Sequence, residues 1–94
     1  MVAEFGANAC VSCRKMKLVL DALRSSHGDR ISVVNVDLLA QKEADYIRLY
    51  RIQLMPTQVF FDAQGRETSR HMGKLTDQEI LARLQVPAQA GGPE

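Results

Sequence analysis

A helix-period segment held between two short apolar runs constrains this chain more than any other feature of its sequence. Val2-Ala3-Glu4-Phe5-Gly6-Ala7 is mostly apolar and reads as a buried strand with one misplaced charge. Beyond Asn8-Ala9-Cys10, the residues Met16, Val19, Leu20 and Leu23 recur at three- and four-residue spacing, which gives a helix one apolar face. Ser25 to Asp29 supply the stop, with Gly28 as the C-terminal cap. Ile31 to Asp37 is rich in β-branched residues and predicts a second strand, buried on both faces. Two strands joined by a helical crossover run parallel, so the chain is committed to an α/β layer.

The remainder adds a second half of opposite sense. From Ala40 to Arg51 the pattern is helical, with Ala44, Ile47 and Tyr50 on one side and Lys42, Asp45 and Arg48 elsewhere. Pro56 breaks that segment, and Thr57 to Phe61 follows as a third strand. Asp62-Ala63-Gln64-Gly65 has Asp and Gly where a type I turn favours them. The chain therefore reverses into a fourth strand over Arg66 to Met72, antiparallel to the third. Thr76 and Glu79 form a capping box for a last helix, and Leu75 and Ile80 stand where a hydrophobic staple closes over it. Ile80, Leu81 and Leu84 give that helix its apolar face, and Pro87 ends it. The expected order is β-α-β-α-β-β-α, an α/β fold with a mixed four-stranded sheet flanked by helices. Residues 1–86 form the domain, and 87–94, with Gly91, Gly92 and Pro93, a flexible tail.

Composition removes several functional classes. The 94 residues suffice for one domain, and with no Trp the core comes from Leu, Ile, Val, Met and Ala. Twelve Lys and Arg against eleven Asp and Glu leave a formal net charge of +1, with no basic stretch dense enough to hold nucleic acid. No apolar run approaches a membrane span, and the first residues have neither the basic nor the apolar region of a secretory signal. The chain as given reads as cytoplasmic and monomeric, with an extracytoplasmic setting as the alternative if a leader has been removed.

Cys10 and Cys13 are three positions apart, too close for a disulfide to staple the fold. They sit where a strand ends and a helix begins. There, unpaired N–H groups and the positive end of the helix dipole favour a thiolate over a thiol, and Arg14, Lys15 and Lys17 add positive charge. Cys10, the outer member, is the expected nucleophile, and Cys13, one turn further in, resolves the mixed disulfide. The competing reading is a metal half-site or two ordinary buried thiols. A structural zinc site wants a second Cys/His pair, and the only histidines, His27 and His71, are single and far apart, so redox chemistry is preferred and no metal is expected. Both histidines read as surface residues without a catalytic part, and Tyr46 and Tyr50 as packing.

Two further residues are ambiguous on local grounds. Pro56 before a strand is by itself an ordinary loop residue. Glu4 inside an apolar strand is expensive to bury, because Glu is almost never fully buried without a partner. The local pattern therefore favours the exposed end of an edge strand for Glu4.

From about Val2 to Leu84 the chain resembles thioredoxin and its close relatives. The resemblance rests on Glu4-Phe5-Gly6-Ala7-Asn8-Ala9-Cys10-Val11-Ser12-Cys13, on Val34-Asn35-Val36-Asp37, on Ile52-Gln53-Leu54-Met55-Pro56-Thr57 and on Gly73. It implies a minimal thioredoxin-like fold in which Cys10 attacks and Cys13 resolves. Pro56 takes the place of the family's cis-proline, and the Met55 main chain pairs with an extended substrate segment. Gly73 keeps the backbone open beside the site. The resemblance also makes Glu4 the buried acid beneath Cys13, with a raised pKa and a part in moving the Cys13 proton.

There are departures from the family pattern. Ala9 stands where an aromatic wall is usual, and Val11-Ser12 replaces the usual Gly-Pro between the cysteines. Leu18 replaces a helix-kinking proline, and Val33 aligns with the lysine that often accompanies the acid. The family's additional N-terminal strand and helix have no counterpart, which implies either a minimal version of the fold or an upstream leader or anchor.

The function implied is a thiol–disulfide oxidoreductase reducing protein disulfides, with an upstream dithiol reductant as second partner and no bound cofactor. Catalysis falls to Cys10, Cys13 and Glu4, and substrate binding to Met55, Pro56, Gly73, Ala9 and Val11. A non-catalytic binding or chaperone module on the same groove, or an extracytoplasmic thiol carrier, is the alternative.

Overall fold

The computed structural model describes residues 1–28, 30–40 and 45–84. Its elements are β1 (Val2–Gly6), α1 (Val11–His27), β2 (Val33–Asp37), α2 (Tyr46–Leu49), β3 (Thr57–Phe61), β4 (Glu67–Met72) and α3 (Asp77–Arg83). The order is the β-α-β-α-β-β-α expected from periodicity. The four strands form one sheet in the order β2-β1-β3-β4. β1 pairs with β2 in parallel and with β3 antiparallel, and β3 with β4 antiparallel.

Alternation along β1 divides the core into two layers. Val2 packs with Met16, Leu20 and Leu23 of α1, Phe60 of β3, and Leu75, Ile80 and Leu81 around α3. Ala3 and Phe5 point the other way, to Leu38, Ile52 and Val59, with Tyr46, Tyr50 and Phe61 packed alongside. Tyr50 stands 5.1 Å, ring centroid to centroid, from Phe5, so the two tyrosines are packing residues as expected. The capping box at Thr76 and Glu79 is present in full, and Leu75 and Ile80 are buried together beside it. The Asp62 carboxylate accepts from the backbone N–H groups of Gln64 and Arg66, which closes the β3–β4 turn.

Four expectations are corrected. β2 is not buried on both faces: it is a sheet edge, paired only with β1 among the described residues, and Val34 is exposed. Its β-branched residues report strand propensity, which does not say where in the sheet a strand lies. Second, the helix expected over Ala40 to Arg51 is formed only at Tyr46–Leu49 among the described residues, and Ile47 faces solvent. Arg51 adopts a left-handed φ of 55°, and Ile52 N–H bonds to the Ile47 carbonyl, so a Schellman motif, rather than Pro56, ends the helix.

Third, Glu4 is no exposed edge residue. β1 is a central strand, and every one of its residues is buried. Fourth, His27 is buried, because it continues the Leu20–Leu23 side of α1 by one turn; its Nδ1 lies 2.8 Å from the Ser26 hydroxyl. Lys42, Ala44, Pro87 and the tail over 87–94 lie outside the described residues.

Candidate functional site

The strand register gathers the site at one end of the sheet. The C-terminal ends of β1, β2 and β4 and the N-terminal end of β3 share that end, since Gly6 pairs with Asp37, Phe5 with Thr57, and Thr57 with Met72. The Ala7–Cys10 loop, Pro56 and Gly73 therefore leave the sheet side by side. The Gly73 N–H donates to the Pro56 carbonyl at 2.8 Å, fastening two of these segments together. The Thr57 hydroxyl donates to the Leu54 carbonyl at 2.7 Å and fixes the turn leading into β3. The Met55–Pro56 peptide is cis.

Cys10 is the N-cap of α1. Its Sγ accepts the Cys13 backbone N–H at 3.2 Å, so the sulfur sits where a capping oxygen is usual. No acidic side chain occupies the first turn of α1 to oppose negative charge there. The loop before it is tied on both sides: the Arg14 guanidinium donates to the Asn8 carbonyl at 2.6 Å, and the Asp37 carboxylate accepts the Asn8 N–H at 3.4 Å. Arg14 thus secures the loop.

The two thiols differ sharply in environment. Cys10 is partly exposed and Cys13 is buried; neither is in a disulfide. Burial pushes the Cys13 thiol up to about 12, helped by its hydrogen bond with Cys10 and by the nearby Glu4 charge and opposed by a backbone contact from Ala7. Cys13 therefore holds its proton near neutrality unless a neighbouring base removes it.

Glu4 stands close to that thiol, on β1. It is 4% exposed, and desolvation raises its carboxyl from an ordinary 4.5 to about 7, against a hydrogen bond from Gln58 that lowers it. Oε1 accepts the Gln58 amide at 2.9 Å, while Oε2 has no partner among the described residues. Gly6 separates the acid from the thiol. A Cβ on Gly6 would stand 2.7 Å from Cys13 Sγ and 3.7 Å from Glu4 Oε2, so both atoms lie near one point that only hydrogen occupies. A cavity of about 190 Å³ opens at the same place, lined by Glu4, Gly6, Cys13, Lys17, Asn35 and Asp37 among others.

The residues expected to bind substrate lie around this end in two conditions. Ala9, Val11 and Met55 are exposed, together with Leu54 and Met72. Pro56 is buried, and Gly73 is half-buried with a left-handed φ of 100°. A Cβ on Gly73 would meet only His71 Nε2, at 4.0 Å, so its surroundings are open. Among the described residues no three His, Cys, Asp or Glu side chains gather into a metal-binding group.

Sequence reasoning missed Gln58 and Gly6. Gln58 is fully buried, and the signal for it was present: alternation along Thr57–Phe61 turns it to the same face as Phe60. The expected lysine partner of the acid is absent at Val33, and Gln58 supplies a neutral one from the opposite strand.

A sequence model described as a thioredoxin-like domain matches residues 1–86. The chain belongs to the thioredoxin-like family. Its curated relatives include the thiol:disulfide interchange protein DsbD of Pectobacterium atrosepticum, 33% identical over 91 residues, covering 90% of this chain and 16% of DsbD. Another is the thiol:disulfide interchange protein TxlA of Synechococcus elongatus, 27% identical, covering 96% of this chain and 47% of TxlA. The chain thus spans half or less of the length of these relatives. Among solved structures, chloroplastic thioredoxin z superposes with a TM-score of 0.76 at 26% identity, covering 89% of this chain and 74% of that one. Thioredoxin-2 of the malaria parasite superposes with a TM-score of 0.79 at 23% identity, covering 89% and 79%, a likeness of fold. Among the described residues of this thioredoxin-like chain, no helix is long and apolar enough to cross a membrane.

Proposed function

We propose that this chain is a thiol–disulfide oxidoreductase that reduces protein disulfides by dithiol exchange. One observation carries the reading. A partly exposed Cys10 caps a helix whose first turn holds a buried Cys13, with an acid and a small cavity behind it. The outer sulfur is placed to meet a macromolecular disulfide, and the inner one is withheld from it.

The reaction runs in two exchanges. The Cys10 thiolate attacks one sulfur of the substrate disulfide, forming a mixed disulfide and releasing the first substrate thiolate. Cys13 then gives up its proton to Glu4 and attacks Cys10 Sγ, forming the Cys10–Cys13 disulfide and releasing the second thiolate. Two electrons have passed to the substrate, and an upstream dithiol returns them to the protein. Met55, Pro56 and Gly73 hold an extended substrate segment, with Ala9 and Val11 at its edge. The exposed apolar side chains of Val11, Leu54, Met55 and Met72 favour substrates that present apolar residues beside their cystine. A reductant role suits a compartment that keeps thiols reduced.

The deciding experiment is catalytic reduction of a protein disulfide with dithiothreitol as electron source. Cys10→Ser abolishes turnover, and Cys13→Ser accumulates the mixed disulfide with substrate. An active Cys10→Ser protein overturns the assignment. The reduction potential against a glutathione buffer tests direction, and a markedly oxidising value replaces the reductant by an oxidant.

A further inference from the structure

One row of side chains crosses the whole sheet. Asn35 of β2 pairs with Glu4 of β1, Glu4 with Gln58 of β3, and Gln58 with His71 of β4. Paired residues project from the same face of a sheet, so a polar stripe runs through the layer that also holds Val2, Phe60 and Met16. Gln58 is its least expected member. It is 0% exposed, and its Oε1 has no partner among the described residues. A buried amide satisfied at only one end is costly, and an aliphatic side chain there would avoid the cost. Among the described residues, the one hydrogen bond of the Gln58 side chain goes to Glu4 Oε1, at 2.9 Å.

We propose that Gln58 is a positioning residue for thiol exchange: its amide holds Oε1 of Glu4, which turns Oε2 to the Gly6 gap as the atom that takes the Cys13 proton. This rests on the oxidoreductase reading above. In the resolving step the Cys13 S–H bond breaks and an O–H bond forms at Oε2. The thiolate then joins Cys10 Sγ as the substrate thiolate leaves and takes a proton from solvent. A donor on the far oxygen favours the ionised carboxylate, which is the form able to accept the proton. The effect opposes desolvation, the cause that raises Glu4 to about 7. Other groups facing the acid are Cys13, Arg14 and Lys17 from α1 and Asn35 and Asp37 from β2, all lining the cavity, and His71 from β4, reached through Gln58.

The test uses reduced protein and an aromatic disulfide that releases one coloured thiol on attack by Cys10 and a second on resolution by Cys13. In Gln58→Met, which keeps length and loses the donor, the first phase is unchanged. The second slows roughly three- to tenfold at neutral pH, as expected for losing one hydrogen bond of ordinary net strength. Its pH midpoint and the Glu4 carboxyl resonance, followed by carbon-13 NMR, both move upward. His71→Gln leaves both midpoints in place. An unchanged second phase in Gln58→Met, or a midpoint that disappears with His71→Gln, overturns the proposal. Should Gln58→Met not fold, the wild-type protein decides: the Gln58 side-chain amide resonances follow the Glu4 titration and lose that response in Glu4→Gln, whereas amide resonances indifferent to it overturn the proposal. A wild-type protein with no first phase refutes the oxidoreductase reading instead, and the NMR titration still decides whether Gln58 holds the acid.

Discussion

A methyl group on Gly6 would stand 2.7 Å from the Sγ of Cys13 and 3.0 Å from its Cβ. The first turn of α1 therefore rests on the end of β1 with only hydrogen between them. Gly6→Ala must displace the buried cysteine or the helix that carries it, and overpacking of this kind costs about 1–3 kcal/mol. Chemical denaturation measures the loss. Because the clash is with one side chain, the cost shrinks in a Cys13→Ala background, and a double-mutant cycle reports the coupling. Equal costs in both backgrounds would sink the idea.

Glu4 makes stability pH-dependent. Its carboxyl titrates at about 7 in the folded chain against an ordinary 4.5. Between those values the folded state binds the proton that the unfolded state has already lost, so stability falls as pH rises through this window. It is fully present below 4.5 and level again above about 7. The loss amounts to about 3 kcal/mol. Denaturation midpoints in urea across the window check the slope, and in Glu4→Gln the slope contributed by this residue disappears. That variant is expected to be more stable than the parent at pH ~8 and slower in the resolving exchange.

Thr76 anchors the start of α3 through the Glu79 N–H, and Glu79 answers through the Thr76 N–H. Thr76→Ala removes one half of this box and destabilises the chain by about 1 kcal/mol. Rates of Cys10 attack stay as they are, since α3 begins beyond Gly73. A loss well below that figure would mean that Leu75 and Ile80 hold the helix end without the cap.

Arg51 is a non-glycine residue at a left-handed φ of 55°, closing the Schellman motif after α2. Arg51→Gly relieves the backbone there, and stability rises by up to about 1 kcal/mol. Its carbonyl still accepts the Arg70 guanidinium, so the link from β4 survives. A thermal midpoint at or below that of the parent contradicts this.

Much of the architecture was legible because it rests on local rules. Periodicity separated the α1 face of Met16, Leu20 and Leu23 from the alternating strands, and the Thr76 box and Asp62 turn are written in consecutive residues. Placement within the sheet was not legible in the same way. Ile31–Asp37 has a strand's composition whether central or at an edge, and only pairing with β1 decided between them. Glu4 shows the limit most clearly. Its neighbours in sequence could not say whether it was tolerated at a surface or confined in the core, because the residue that makes confinement bearable, Gln58, lies fifty-four positions away and meets it only through the β1–β3 register. The pair Cys10 and Cys13 stood out by spacing, and its inner member by chain order, but the packing that buries Cys13 did not. That depends on Gly6, whose meaning is a contact it does not make.

The position of the Gly6 cavity has a consequence for traffic through the site. It lies over β1 and β2, bordered by Lys17, Asn35 and Asp37, whereas Met55 and Gly73 stand on the β3–β4 side. A polypeptide held by Met55 and Gly73, as proposed above, would cover the β3–β4 flank and leave the cavity flank open. Under the proposed function the two tasks fall on opposite flanks: sulfur exchange beneath the polypeptide, and the acid behind Cys13 on the side the polypeptide leaves bare.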